Sequence, residues 1–221
     1  MSTVEATHEA TPVADGHGGD VTKEGIEAGA HGAHVTNTGI SNEKLAMWAF
    51  LGSECLLFGA LISTYLLYRG RSPVGTPQPD DVFDIPFTSV SSFVLLMSSV
   101  TMVLALSSIQ RGDHRRLRIW LSVTALLGAS FIAGQIYEFT AFVREGLNLS
   151  TNLFGSSFFV LTGFHGVHVT LGIVMLLSLV TLSQRGRLGQ EKAETVEIVG
   201  LYWHFVDVVW IVIFTIIYLI P

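Results

Sequence analysis

Six ionisable side chains lie inside long apolar runs of this 221-residue chain: Glu54, Glu138, His165, His168, His204 and Asp207. Carboxylates and imidazoles in such surroundings can hold or pass protons, ligate a metal, or pair with one another. His165 and His168 are three residues apart, and His204 and Asp207 repeat that spacing. Each pair therefore shares one helical face. A metal centre would need His and carboxylate ligands converging from several helices. Within the apolar runs the Glu-x-x-His pairs of a di-iron bundle are absent, as are His-x-His and His-His copper pairs. Haem would need axial histidines at matching depths. A structural network of interhelical hydrogen bonds needs only shared faces, and it is the expected role of Glu138, His165, His168, His204 and Asp207. No catalytic residue and no metal ligand is assigned. Glu54 lies ten residues after Lys44, about 15 Å along a helix. Two readings stand for it: a proton-related carboxylate, or a protonated side chain bonded to a neighbouring helix.

The elements that must position these groups follow from composition. The chain is 49% hydrophobic and 14% charged, with a mean hydropathy of +0.53. A soluble domain carries about a quarter charged residues. Five apolar spans are expected at about 45–68, 87–109, 117–143, 154–182 and 196–220. Each has ~23 residues or more, and a bilayer crossing needs about 20. Lipid offers no partner to an unpaired backbone amide, so the spans are helices. A barrel would show ~10-residue alternating strands. The expected fold is an all-α integral membrane bundle of five transmembrane helices. An ionisable group at mid-bilayer costs roughly 2.5–3.5 kcal/mol on insertion scales, so each needs a partner, a cavity or neutralisation.

Lys and Arg gather at alternate ends of the spans. One side holds Lys23, Lys44, Arg111, Arg115, Arg116, Arg118, Arg185, Arg187 and Lys192; the other holds Arg69, Arg71 and Arg144. Basic residues stay cytoplasmic, so the N-terminus is expected inside and the C-terminus outside. Residues 1–41 are expected to be a disordered cytoplasmic tail, acidic and histidine-containing (His8, His17, His31, His34), because they offer too little apolar surface to offset ordering. Residues 42–221 form the five-helix domain. The segment between the first two spans, with Pro73, Pro77, Pro79 and Pro86, reads as an extended connector. Span two carries only Ser and Thr as polar groups and is expected to face lipid most. Helix contacts are expected along Cys55, Gly59 and Ser63 and along Ala125, Ala129 and Ala133, because small residues allow close approach. Trp203 and Trp210, seven apart, read as packing. The lone Cys55 cannot form an intrachain disulfide. No basic stripe beside exposed aromatics points to nucleic acid.

Span five reads Tyr202-Trp203-His204-Phe205-Val206-Asp207-Val208-Val209-Trp210, which closely resembles the signature of subunit III of haem-copper oxidases. Gly163-Phe164-His165-Gly166-Val167-His168-Val169 resembles the second block of that family. Ser53-Glu54, Gln135-Ile136-Tyr137-Glu138-Phe139 and Phe83-Asp84-Ile85-Pro86-Phe87 are also similar. The resemblance spans about residue 42 to the C-terminus and matches the short, five-helix bacterial form. It implies a non-catalytic subunit of a proton-pumping cytochrome c oxidase in the bacterial cell membrane. Haem and copper would then lie in partner subunits, with none bound by this chain. Subunit I would be the main partner, with subunit II and a small subunit IV beside it, and membrane phospholipid would be bound. Glu54 would be the embedded carboxylate near the subunit I contact, supporting proton uptake. The same blocks fit a quinol oxidase subunit III and, more remotely, an accessory protein of nitric oxide reductase.

Overall fold

The computed structural model describes residues 41–69, 85–144, 146–147, 149 and 152–220. The expected N-terminal tail and the proline-rich connector lie outside those residues. Five long helices account for most of the rest: α1 (Asn42–Tyr68), α2 (Ile85–Gln110), α3 (His114–Arg144), α4 (Leu153–Gln184) and α5 (Ala193–Phe214). A single 3-10 turn, Gln190–Lys192, leads into α5, and a π turn, Thr215–Leu219, continues it. All five are long and apolar enough to cross a membrane.

Local chemistry sets the boundaries. Pro86 occupies the first turn of α2, where a missing N–H costs nothing. Gly112 adopts φ 73° between α2 and α3, and the Asp113 N–H closes the α2 end on the Ser108 carbonyl at 3.0 Å. The left-handed residue there favours glycine. Asp113 then caps α3 through a 3.0 Å bond from the Arg116 N–H. Asn152 caps α4 by accepting from the Gly155 N–H.

The helices do not contribute equally. Helix α5 packs against α1, α2 and α4, while α3 packs against α2 and α4. Trp203 of α5 is buried at the centre. Its indole donates to Ser98 of α2 at 2.9 Å, and its ring presses on Gly128 of α3 and Gly172 of α4. A Cβ on Gly172 would sit 2.8 Å from the Trp203 ring, and one on Gly128 would also collide with it. Those glycines are the slots that admit the indole.

Two expectations are corrected. Span two is not the most lipid-exposed. Helix α2 buries eight residues, Thr88, Ser92, Leu95, Ser98, Met102, Ala105, Ser108 and Ile109, whereas α1 buries only Leu51, Phe58 and Tyr65. The α2 residues recur every three or four positions, forming one stripe whose small hydroxyl members allow close approach. Nor do the two small-residue rows make the contacts within this chain. Cys55, Gly59, Ser63, Ala129 and Ala133 are exposed, and only Ala125 is buried. The packed face of α3 runs instead through Leu117, Leu121, Thr124, Gly128, Phe131, Gln135, Glu138 and Phe142.

Helix α1 is also tied at both ends. Lys44 pairs with Glu197 of α5 at 2.9 Å and lies 4.0 Å from Glu194. Arg69 donates to the Ile216 carbonyl at 3.1 Å and also to that of Ile220. A guanidinium there meets carbonyls left over by the last turn, at the negative end of the helix dipole.

Gly172→Val should force a branched side chain into the Trp203 slot and cost about 1–3 kcal/mol through overpacking. Thermal melts in detergent, followed by near-ultraviolet tryptophan signals, check this. Gly163→Val, where a Cβ meets open space, should melt much closer to the parent.

Candidate functional site: buried polar pairs

The six ionisable groups do not form one network. They separate into three hydrogen-bonded groupings and one histidine held only by rings.

The first grouping joins α1 to α4. His168 Nε2 lies 3.1 Å from Glu54 Oε2, and His168 Nδ1 lies 2.8 Å from the Phe164 carbonyl. A carbonyl only accepts, so Nδ1 carries a hydrogen. Nε2 then either accepts from a protonated Glu54 or donates as an imidazolium to the carboxylate. Both arrangements place one proton between the two side chains and leave the pair neutral as a unit. That limits the cost of burial, which is large for a lone charge. Phe58 covers the His168 ring edge-on at 5.0 Å, and Tyr202 of α5 donates to the His168 carbonyl at 3.0 Å. The side chains of Glu54 and His168 are 14% and 11% exposed, so the pair lies just under the surface of the bundle.

The second grouping joins α2 to α5. Ser99 Oγ lies 2.9 Å from His204 Nδ1 and donates to Asp207 Oδ2. A serine has one hydroxyl hydrogen. Given to Asp207, it leaves the oxygen free to accept from His204 Nδ1–H, so the tautomer of the histidine follows from the serine. Asp207 is buried, and its Oδ1 finds no hydrogen-bond partner among the described residues.

The third grouping joins α2 to α3, where the buried Thr88 hydroxyl donates to Glu138. Gln135, one turn earlier on α3, donates to the Thr162 carbonyl of α4 at 2.6 Å.

His165 stands apart. It is fully buried, and neither ring nitrogen has a hydrogen-bond partner among the described residues. It stacks on Trp210 with centroids 4.8 Å apart and meets the edge of Phe131 at 5.8 Å. Its expected hydrogen bonds are replaced by aromatic contact. Trp203 and Trp210 do pack, as expected, but each also donates its indole N–H to a serine of α2: Ser98 and Ser92, the latter at 2.8 Å.

Sequence reasoning missed Thr88, Ser92, Ser98 and Ser99. Their spacing along one α2 face was the available signal. Among the described residues, no three His, Cys, Asp or Glu side chains converge as a metal site. This is a helical membrane protein in which Glu54, Glu138, His204 and Asp207 each reach a side chain on another helix.

The comparisons with known proteins agree on one family. A family model described as cytochrome c oxidase subunit III matches residues 13–220. Cytochrome c oxidase subunit 3 of Bacillus sp. strain PS3 is 38% identical over 178 residues, covering 80% of this chain and 86% of its own length. Quinol oxidase subunit 3 of Bacillus subtilis strain 168 is 43% identical over 176 residues, covering 79% and 85%. A probable quinol oxidase subunit 3 of Staphylococcus saprophyticus is 41% identical over 178 residues, covering 80% and 88%. The chain belongs to the subunit III family of haem-copper terminal oxidases.

Ser99→Ala should cost about 1–3 kcal/mol, because it strips a partner from a buried acid and from His204. In an Asp207→Leu background the same change should cost well under half as much. Melting of the four variants in detergent measures this coupling; equal costs in both backgrounds would show that Ser99 does not serve Asp207.

Proposed function

We propose that this chain is the non-catalytic subunit III of a proton-pumping cytochrome c oxidase in a bacterial plasma membrane. It binds subunit I and keeps proton uptake intact during turnover. Haem and copper sit in subunits I and II, a small subunit IV can join them, and phospholipid fills gaps at the subunit borders. The N-terminus lies in the cytoplasm, on the side where most Lys and Arg gather.

The observation that carries the reading is the Glu54–His168 pair. It holds one proton between two helices, on the least buried helix of the bundle. Moving that proton away leaves a net charge on the pair, so a partner chain that supplies a water path and a compensating charge would decide whether the pair passes it. The face of α1 away from α4 and α5 supports subunit I as the partner. Ala49, Gly52, Ser53, Gly59 and Ala60 are exposed there, and a Cβ at Gly52 or Gly59 would meet nothing within 4 Å. Such residues suit close approach of another helix.

A second reading is a quinol oxidase, favoured by the 43% identity to the Bacillus subtilis quinol oxidase subunit. The donor reacts with partner subunits, so an assay separates the two readings. The complex purified through this chain should oxidise reduced cytochrome c. Oxidation of a quinol with no activity towards cytochrome c would establish the second reading instead.

Glu54→Gln removes the carboxylate but keeps the shape. The complex should assemble in normal yield, start at a rate close to the parent and inactivate sooner under continuous turnover. Counting turnovers before activity halves checks this. A variant lasting as long as the parent would remove Glu54 from proton supply.

A further inference from the structure

We propose that Asp207, Ser99 and His204 form a proton relay, which loads and unloads the buried Asp207 carboxyl through the outer nitrogen of His204. Asp207 of α5 is 3% exposed, and its Oδ1 is sealed without a hydrogen-bond partner among the described residues. Its Oδ2 meets the Ser99 hydroxyl of α2. The same hydroxyl lies 2.9 Å from Nδ1 of His204, one turn before Asp207 on α5. Ser99 and His204 are half-buried, so the line of three runs from the packed interior to the edge of the α2–α5 seam. Among the described residues, the sealed side-chain polar atoms without partners belong to Tyr65, His165, Ser183 and Asp207. His204 Nε2 is not one of them, so it is open at the bundle surface. It is the end of the line that an outside proton can reach.

Two hydrogen arrangements fit these heavy atoms. In one, Asp207 is a carboxylate: Ser99 donates to Oδ2, His204 Nδ1–H donates to Ser99, and Nε2 carries a lone pair. In the other, Asp207 is the acid: its Oδ2–H donates to Ser99, Ser99 donates to Nδ1, and Nε2 carries the hydrogen. The two differ by one proton, taken up at Nε2. On uptake the Nδ1 hydrogen passes to Ser99 Oγ while the serine hydrogen passes to Asp207 Oδ2. Loss of the proton reverses both transfers. His204 begins and ends neutral, as the opposite tautomer, and no heavy atom has to move. The acid form avoids a buried charge. It also leaves Oδ1 as a carbonyl oxygen, for which a missing partner costs less than for a carboxylate. The ionisable groups on the elements around α5 are placed elsewhere. Helix α2 carries none. On α1, Glu54, Lys44 and Arg69 hold His168, Glu197 and the Ile216 carbonyl. On α4, His165 is stacked on Trp210. Glu138 of α3 is held by Thr88, about three turns from Ser99 along α2. The relay is therefore separate from the Glu54–His168 pair and stands whether or not that pair serves proton uptake.

The test uses the intact assembly that copurifies with this chain, transferred rapidly into heavy water and followed by infrared absorption. Subtracting the Asp207→Asn assembly assigns the carboxylic-acid C=O band of Asp207. In the parent that band should be present, and it should shift as deuterium replaces the acid hydrogen. Ser99→Ala keeps both ends of the relay and removes its middle. His204→Phe keeps the Ser99–Asp207 bond and removes the port. Each should slow the shift on the order of 100-fold, the low end of what a positioned proton-transfer group contributes. Each is read against the same variant carrying Asp207→Asn. A trio that only joined helices would lose stability in these variants but keep the parent's exchange rate in the assembled complex. The proposal is overturned if Asp207→Asn removes no acid band, or if either variant exchanges as fast as the parent. Should Ser99→Ala not assemble, His204→Phe decides alone.

Discussion

A polar side chain inside a lipid bilayer has no solvent to turn to, so it must find its partner in protein. Most of this bundle can be read from that one constraint, and the partners come mainly from α2. Thr88 serves Glu138, Ser92 serves Trp210, Ser98 serves Trp203, and Ser99 serves both His204 and Asp207. A hydroxyl suits the task because it is small enough for helices to approach closely and can donate and accept at once. The α2 stripe thereby fixes α5 along two turns of tryptophan and one of histidine and aspartate. His165 shows the limit of the rule. It is deeply buried without a hydrogen bond among the described residues, and only a ring facing rings tolerates that position.

Much of this was legible in the sequence. The five spans lie where apolar length places them, because backbone satisfaction in lipid leaves no other option for runs of that length. Single residues set three boundaries that were not read from the sequence: Pro86, assigned to the connector, opens α2, Gly112 separates α2 from α3, and Asn152 caps α4. The pairing of the polar groups was not legible. Ser and Thr occur on every helix, and most turn back onto their own backbone, as Ser63 does to Gly59 and Thr170 to Gly166. Nothing in residue type separates those from Ser99, whose hydroxyl crosses to α5. Only the spacing of 88, 92, 95, 99 and 102 does so, and it was outweighed by the absence of charge on that helix. The reverse error affected α1. Its small residues mark an outward face, and a stripe in sequence does not say which side of a helix it serves.

The same physics places the acids in two different settings. Asp207 and Glu138 sit inside the packed bundle and hold hydroxyls of α2. Glu54 sits on α1, the helix that buries the fewest residues, and it pairs with His168 just below the surface. A buried acid bound into a packed core stabilises it. Glu54 instead lies near the surface of the bundle, beside the exposed small residues of α1. On this account the family's redox chemistry belongs to neighbouring chains, and this chain contributes a scaffold with one proton-holding pair.

The most direct test of that account is the visible spectrum and metal content of this polypeptide before and after it is stripped from the assembly purified through it. The intact assembly should carry the absorption of haem, with iron and copper in the accompanying chains. The separated polypeptide should be colourless and free of stoichiometric metal. A separated chain that kept its own haem, iron or copper and changed colour on reduction would contradict the account at its centre.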